Sequence, residues 1–138
     1  MRRRQSYHIG DPDPEIVQGR VCMRWLIAIP IFNEARYVRR VLEQVSLHGR
    51  DVLVVDDGST DCTPEILAEQ SDVRVLRHPE NRGYGQSLID AFRFAERHEY
   101  DWIITLDCDD QHEPRRIPDF IRRAETGGVD VVSGSRYL

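Results

Sequence analysis

Five short apolar runs constrain this chain more than any other feature. They are Trp25-Leu26-Ile27-Ala28-Ile29, Val52-Leu53-Val54-Val55, Val73-Arg74-Val75-Leu76, Trp102-Ile103-Ile104 and Val129-Asp130-Val131-Val132. Most are continuous rather than alternating, the pattern of strands buried on both faces. The spacing predicts strands over Arg24–Ile31, Asp51–Val55, Val73–Leu76, Trp102–Leu106 and Val129–Val132. Helical patterns separate them. Val38, Val41, Leu42 and Val45 recur at i, i+3, i+4 and i+7, with Asn33 as the expected N-cap and Glu34 beside the positive helix end. Thr63-Pro64 opens a short helix running to about Glu69. A third helix sets Leu88, Ala91, Phe92 and Ala95 on one face. A fourth, regular from about Ile117, sets Ile117, Phe120, Ile121 and Ala124 in register and stops at Gly127-Gly128. Alternating β and α implies an α/β protein: a three-layer α/β/α, Rossmann-like arrangement with a mostly parallel sheet.

In such sheets ligands bind beyond the carboxyl ends of the strands. The polar signals fall there. Pro30, Asn33 and Glu34 follow the first strand, Asp56 and Asp57 the second, and Asp107, Asp109 and Gln111 the fourth. Ser135 and Arg136 follow the fifth.

Composition removes several alternatives. A length of 138 residues suits one domain. The longest apolar run is too short to span a bilayer, and Met1-Arg2-Arg3-Arg4 leads into polar residues rather than an apolar signal region. The expectation is a cytoplasmic chain with residues 1–20 as a flexible arm and 21–138 as the folded part. Cys22, Cys62 and Cys108 are too widely spaced for a disulfide framework or zinc site. A net charge of −5 argues against nucleic acid as a partner. All 19 Lys+Arg positions are arginine, which excludes a P-loop lysine and Schiff-base chemistry.

Asp107-Cys108-Asp109-Asp110-Gln111 is the sharpest chemical signal. Alternate residues past a strand end can turn toward one point. Two carboxylates and an amide oxygen form a hard, oxygen-only donor set suited to Mg²⁺ or Mn²⁺, which keeps positions open for phosphate oxygens. Asp110 reads more simply as a cap for the following helix. Asp56-Asp57-Gly58-Ser59 could accept hydrogen bonds from a ribose or base, or could be an Asx turn and helix cap. Pro30 to Glu34 could lay backbone against a base with Glu34 at a ribose, or only cap a helix. Arg82-Gly83-Tyr84-Gly85 precedes a helix start, where glycines admit close approach and Arg82 can pair with phosphate; it also reads as an ordinary loop. Arg136 faces the same two readings, phosphate contact or surface residue. A lone His112 is more often structural.

Pro30-Ile-Phe-Asn-Glu34, Val54-Val-Asp-Asp-Gly-Ser-Thr-Asp61, Asn81-Arg-Gly-Tyr-Gly85, Leu106-Asp-Cys-Asp-Asp-Gln-His112 with Pro114, and Gly134-Ser-Arg-Tyr137 occur in that order. Together they resemble the family 2 glycosyltransferases, particularly the branch of dolichol-phosphate mannose synthases and polyprenyl-phosphate glycosyltransferases. The resemblance covers residues 24–138. It implies a GT-A fold, a UDP- or GDP-sugar donor, a divalent metal and inversion at the anomeric carbon. It assigns Pro30 and Glu34 to the nucleotide pocket, Asp56 to base or ribose, and Asp107, Asp109 and Gln111 to the metal, with Asp107 also on the donor side. Arg136 becomes a phosphate-side contact, beside the phosphate reading that Arg82 has from its place before a helix start. Polyprenyl phosphate is the implied acceptor, reached at the inner membrane face. Cys108 stands where the family often has alanine, and Asp110 adds charge near the metal.

Family members continue past the Gly-Ser-Arg motif into an acceptor-binding region, which often carries the base. The expectation is that residues 21–138 are the donor-binding part and do not transfer sugar alone. An uncovered sheet edge and apolar surface would favour a homodimer. A phosphorylation-switch receiver is disfavoured by the missing lysine and by the strand preceding Asp56. A non-catalytic nucleotide- or protein-binding module on the same fold remains the alternative, and a nucleotidyltransferase lacks its glycine-rich phosphate loop.

Overall fold

The computed structural model describes residues 23–109 and 114–134. Four parallel strands, β1 (Trp25–Ile31), β2 (Asp51–Asp56), β3 (Arg74–Arg77) and β4 (Trp102–Thr105), form one sheet in the order β3-β2-β1-β4. Four α-helices connect and cover them: α1 (Val38–Ser46), α2 (Thr63–Ala68), α3 (Tyr84–Arg97) and α4 (Ile117–Glu125). A 3₁₀ turn, Pro114–Arg116, leads into α4.

Side-chain parity along the strands builds the three layers. On β1, Trp25, Ile27, Ile29 and Ile31 point to one face and join Val52 and Val54 of β2 and Ile104 of β4. That face is covered by Val38, Val41, Leu42 and Val45 of α1, Leu67 of α2, and Ile117, Ile121 and Ala124 of α4. Leu26 and Ala28 point to the other face and meet Leu53 and Val55, covered by Ala91 and Ala95 of α3. Every β1 residue is therefore buried, which explains its unbroken apolar run. Each fully buried Leu or Ile contributes about 1.5–3 kcal/mol.

Connectivity explains which helix goes where. The chain steps β1 to β2 to β3 in one direction, then crosses back to β4 on the far side of β1. Right-handed crossovers place helices on opposite faces when the direction reverses. So α1 and α2 lie on one face and α3 on the other. The switch point falls between β1 and β4, where a crevice is expected at the carboxyl ends.

Four sequence expectations are corrected. Val129–Val132 is not a strand: residues 127–134 are irregular, Val132 packs on the core and Val131 is 81% exposed. Gly127 and Gly128, both at positive φ (78° and 73°), redirect the chain, and a strand needs a ladder partner that this segment does not make. Asn33 does not cap α1, which begins at Val38; instead it takes a left-handed φ of 56°. The cap of α2 is Cys62 rather than Thr63, and the Asp61 carboxylate accepts the Thr63 N–H at 2.9 Å. On α3 the buried stripe is Ser87, Ala91 and Ala95, and Phe92 is half exposed. Small residues let the helix sit close on the sheet, so bulk did not mark its inner face. Residues 1–20, Asp110, Gln111, His112, Ser135 and Arg136 lie outside the described residues. Among the described residues no helix is long and apolar enough to cross a membrane.

Candidate functional site

A cleft of about 570 Å³ opens at the carboxyl ends of β1 and β4. Pro30, Ile31, Phe32 and Glu34 line it from the end of β1, and Asp107, Cys108 and Asp109 from the end of β4. Asp57, Asn81, Gly83, Tyr84 and Ser87 supply the remaining wall. The volume falls in the range of small-molecule sites. A shallower cavity by His48, Arg50 and Pro118 of about 290 Å³ collects no comparable chemistry.

The turn after β2 organises one side. Asp56 is fully buried, and its Oδ1 accepts the Ser59 N–H at 2.9 Å. Its Oδ2 has no hydrogen bond and lies 3.4 Å from Arg77 Nε. The Asn33 side-chain oxygen accepts the N–H groups of Thr60 and Asp61 at 2.8 and 3.2 Å, while the Asn33 backbone N–H donates to Ser59 Oγ at 2.9 Å. The β1 and β2 ends are thus laced together. Gly58 has φ +73°, and a Cβ there would stand 2.4 Å from the Glu80 carbonyl carbon. The turn after β2 and the loop before α3 touch at that point, and only glycine fits.

Asp57 is the hub of the loop. Its Oδ1 accepts the Arg82 N–H at 2.8 Å and faces His78 Nδ1 at 2.7 Å; its Oδ2 accepts the Gly83 N–H at 2.8 Å. His78 Nε2 faces Asp90 of α3 at 3.2 Å, and Gln86 donates to the same Asp90 carboxylate at 2.9 Å. Burial alone would raise the Asp57 carboxyl, but hydrogen bonds from His78, Arg82 and Gly83 outweigh it and hold it below the ordinary aspartate value. The Gln86 hydrogen bond leads in lowering Asp90, against burial and with help from His78. This chain fixes the start of α3 beneath the cleft wall.

The acidic side is more exposed. The strand parity continues past β4: Cys108 is buried in the core, while Asp107 and Asp109 are partly exposed along the cleft. Burial pushes the Cys108 thiol up to about 12, with the charges of Glu34 and Asp109 adding to it, so it is neutral at pH 7. Burial also raises Glu34 above the ordinary glutamate value, followed by the charges of Asp109 and Asp61. Three carboxylates, Glu34, Asp107 and Asp109, therefore share one cleft in which their charges repel. Tyr84 Oη donates to Asp107 Oδ1 at 2.9 Å, and burial, then this bond, lifts the phenol to about 12.

The sequence-derived residues separate accordingly. Pro30, Glu34, Asp107 and Asp109 meet in the cleft. Asp56 sits behind the wall, and Arg82 contributes its N–H to Asp57 with an exposed side chain. Among the described residues no three His, Cys, Asp or Glu side chains form a preassembled metal cage. Sequence patterns do not single out Phe32, Tyr84, Ser87, His78 or Asp90, and Asp57, which reads from sequence as a ribose or base contact or a cap, binds the Arg82 and Gly83 N–H groups. Only the β3-to-β4 crossover brings Tyr84 to Asp107, so no local pattern announces that pair.

The chain matches the model of Glycosyl transferase family 2 over residues 26–138. It is 34% identical over 122 residues to the undecaprenyl-phosphate mannosyltransferase of Micrococcus luteus, covering 84% of this chain and 49% of that protein. It is 36% identical over 119 residues to the undecaprenyl-phosphate 4-deoxy-4-formamido-L-arabinose transferase of Photorhabdus laumondii, covering 80% and 36%. The low-salt glycan biosynthesis hexosyltransferase Agl6 of Haloferax volcanii is 29% identical over 137 residues, covering 94% and 32%. The chain spans half or less of the length of these curated relatives. Its parallel α/β sheet, the cleft at its switch point and the match over residues 26–138 agree: the chain belongs to glycosyltransferase family 2.

Proposed function

We propose that residues 21–138 bind a nucleotide-diphospho-sugar through a divalent cation, as the donor side of an inverting glycosyl transfer. The observation that carries this reading is the cleft itself, which sets an apolar wall of Pro30, Ile31 and Phe32 beside Glu34, Asp107 and Asp109. An apolar face next to clustered carboxylates suits a base joined to a metal-neutralised diphosphate. Donor chemistry fits the cation: the exposed donors are oxygens, and the Cys108 sulfur is buried and protonated. Mg²⁺ and Mn²⁺ use one or two carboxylates plus substrate phosphates, which suits an acidic pair without a full protein cage.

Asp107, Asp109 and Gln111 would hold the cation, which when bound neutralises charge on the departing diphosphate. Pro30 and Phe32 pack the base, and Glu34 takes the ribose side. Asp56 keeps the turn under the nucleotide in shape. Arg82 and Arg136 balance phosphate charge. The acceptor in this reading is a polyprenyl phosphate at the cytoplasmic membrane face, and two of the relatives carry undecaprenyl-phosphate in their names. A second copy of the chain is the proposed partner along the exposed sheet edge.

Calorimetric titration with UDP and with GDP, each with and without Mn²⁺, tests the donor assignment. Heat of binding for one nucleotide that depends on Mn²⁺ is the expected result. No heat for either would overturn it.

A further inference from the structure

The buried stripe of α3 changes character where it reaches the cleft. Ala95 and Ala91 pack against Leu26, Ala28, Leu53 and Val55, and Ser87 continues the same stripe one turn earlier. Pro30 continues the β1 face of Leu26 and Ala28 in the same way. Both Pro30 and Ser87 line the cleft. Ser87 is fully buried, and its hydroxyl has no hydrogen-bond partner.

That orphan is unusual for its position. A serine inside a helix satisfies its hydroxyl in solvent or at the carbonyl four residues back, here Gly83. The Gly83 carbonyl instead accepts the N–H groups of Gln86 and Ser87 at 3.0 and 3.2 Å. Leaving a buried hydroxyl unpaired costs about 1–3 kcal/mol, and alanine would complete the stripe without that cost. Three other buried polar atoms among the described residues also lack a partner, on Trp25, Asp56 and Thr63, but those residues do not line the cleft.

We propose that the Ser87 hydroxyl recognises the nucleoside part of the donor, an inference that rests on the nucleotide reading above. The diphosphate belongs with Asp107 and Asp109, which are partly exposed at the mouth. Ser87 lines the same cleft, and its hydroxyl is shielded from water and without a partner in the free protein. Pro30 and Phe32 form the apolar wall of that cleft, which suits a flat base or the sugar attached to it. The hydroxyl both donates and accepts, so it can pair with a carbonyl, a ring N–H or a ribose hydroxyl. Binding then satisfies a group that the free protein leaves unpaired.

The test is Ser87→Ala, with two readouts that a purely structural role would not move in opposite directions. By calorimetry with Mn²⁺, the variant should bind UDP or GDP about 3- to 10-fold more weakly, the loss of one hydrogen bond. Its affinity for Mn²⁺ with inorganic pyrophosphate should be unchanged. Its melting temperature without nucleotide should be equal to or above wild type. Equal nucleotide affinity in the two proteins would overturn the proposal while leaving the donor reading intact. Equal losses for nucleotide and pyrophosphate would overturn it too, by placing Ser87 at the phosphates. If wild type binds pyrophosphate but no nucleotide, both readings fail together.

Discussion

Replacing Asp57 by asparagine should cost about 3 kcal/mol of folding stability. The carboxylate takes three donors: Arg82 N–H and His78 Nδ1 at one oxygen, Gly83 N–H at the other. Asparagine keeps the shape but has one acceptor oxygen. Placed toward Arg82 and His78, it turns an NH₂ group against the Gly83 N–H. One hydrogen bond to a charged acceptor, worth about 1.5–3 kcal/mol, is lost, and the remaining two lose their charge assistance. Against a typical total of about 5–15 kcal/mol this is a large fraction. Equilibrium urea unfolding measures it; with m near 2 kcal/mol/M, a loss of about 3 kcal/mol lowers the midpoint by roughly 1.5 M. The pH dependence supplies the sign. Asp57 is held below its ordinary value in the folded chain, so its contribution is complete above the unfolded aspartate pKa and disappears as pH falls through the lower folded one. The gap between wild type and variant should therefore close on the acid side, below the usual aspartate range. A loss under about 0.5 kcal/mol at pH 7, the size of an ordinary surface change, would refute the hub role assigned to Asp57.

Gly58→Ala should destabilise by roughly 3 kcal/mol, combining left-handed strain with a Cβ forced onto the Glu80 backbone, and thermal unfolding would show it. Tyr84→Phe should leave stability within about 1 kcal/mol, because the side chain is half exposed, yet should alter Mn²⁺ affinity by removing the phenol donor from Asp107 Oδ1; unchanged affinity in a metal titration would separate that pair from the metal site. Val131→Ser should be neutral within about 0.5 kcal/mol, whereas Val45→Ala should cost about 2 kcal/mol or more. A large effect at Val131 in urea unfolding would contradict the irregular, exposed placement of this segment.

Where sequence reading succeeded, one residue type served one physical demand. β1 is apolar at every position because both its faces are covered, and that needs no tertiary knowledge to see. The carboxylates beyond β1 and β4 stand out because they interrupt apolar runs, and the fold brings Glu34, Asp107 and Asp109 to one cleft. Reading failed where partners were distant. Asn33 looked like a helix cap because caps are local, but it bonds Thr60 and Asp61 across the sheet end. Asp57 looked equivalent to Asp56 in sequence, yet one anchors α3 and the other its own turn. Phe92 looked like core by size, while the true inner face is made of Ser87, Ala91 and Ala95. The Val129–Val132 pattern met the residue preferences of a strand without the hydrogen-bonding partner that makes one.

Electron paramagnetic resonance of Mn²⁺ tests the central claim most directly, that the acids beyond β4 hold a cation together with a nucleotide diphosphate. Free Mn²⁺ is recorded with UDP or GDP, without protein, with wild type and with Asp109→Ala. Wild type should remove free Mn²⁺ beyond what the nucleotide alone removes, and Asp109→Ala should not. Equal depletion by the two proteins, or none by wild type, would contradict the account.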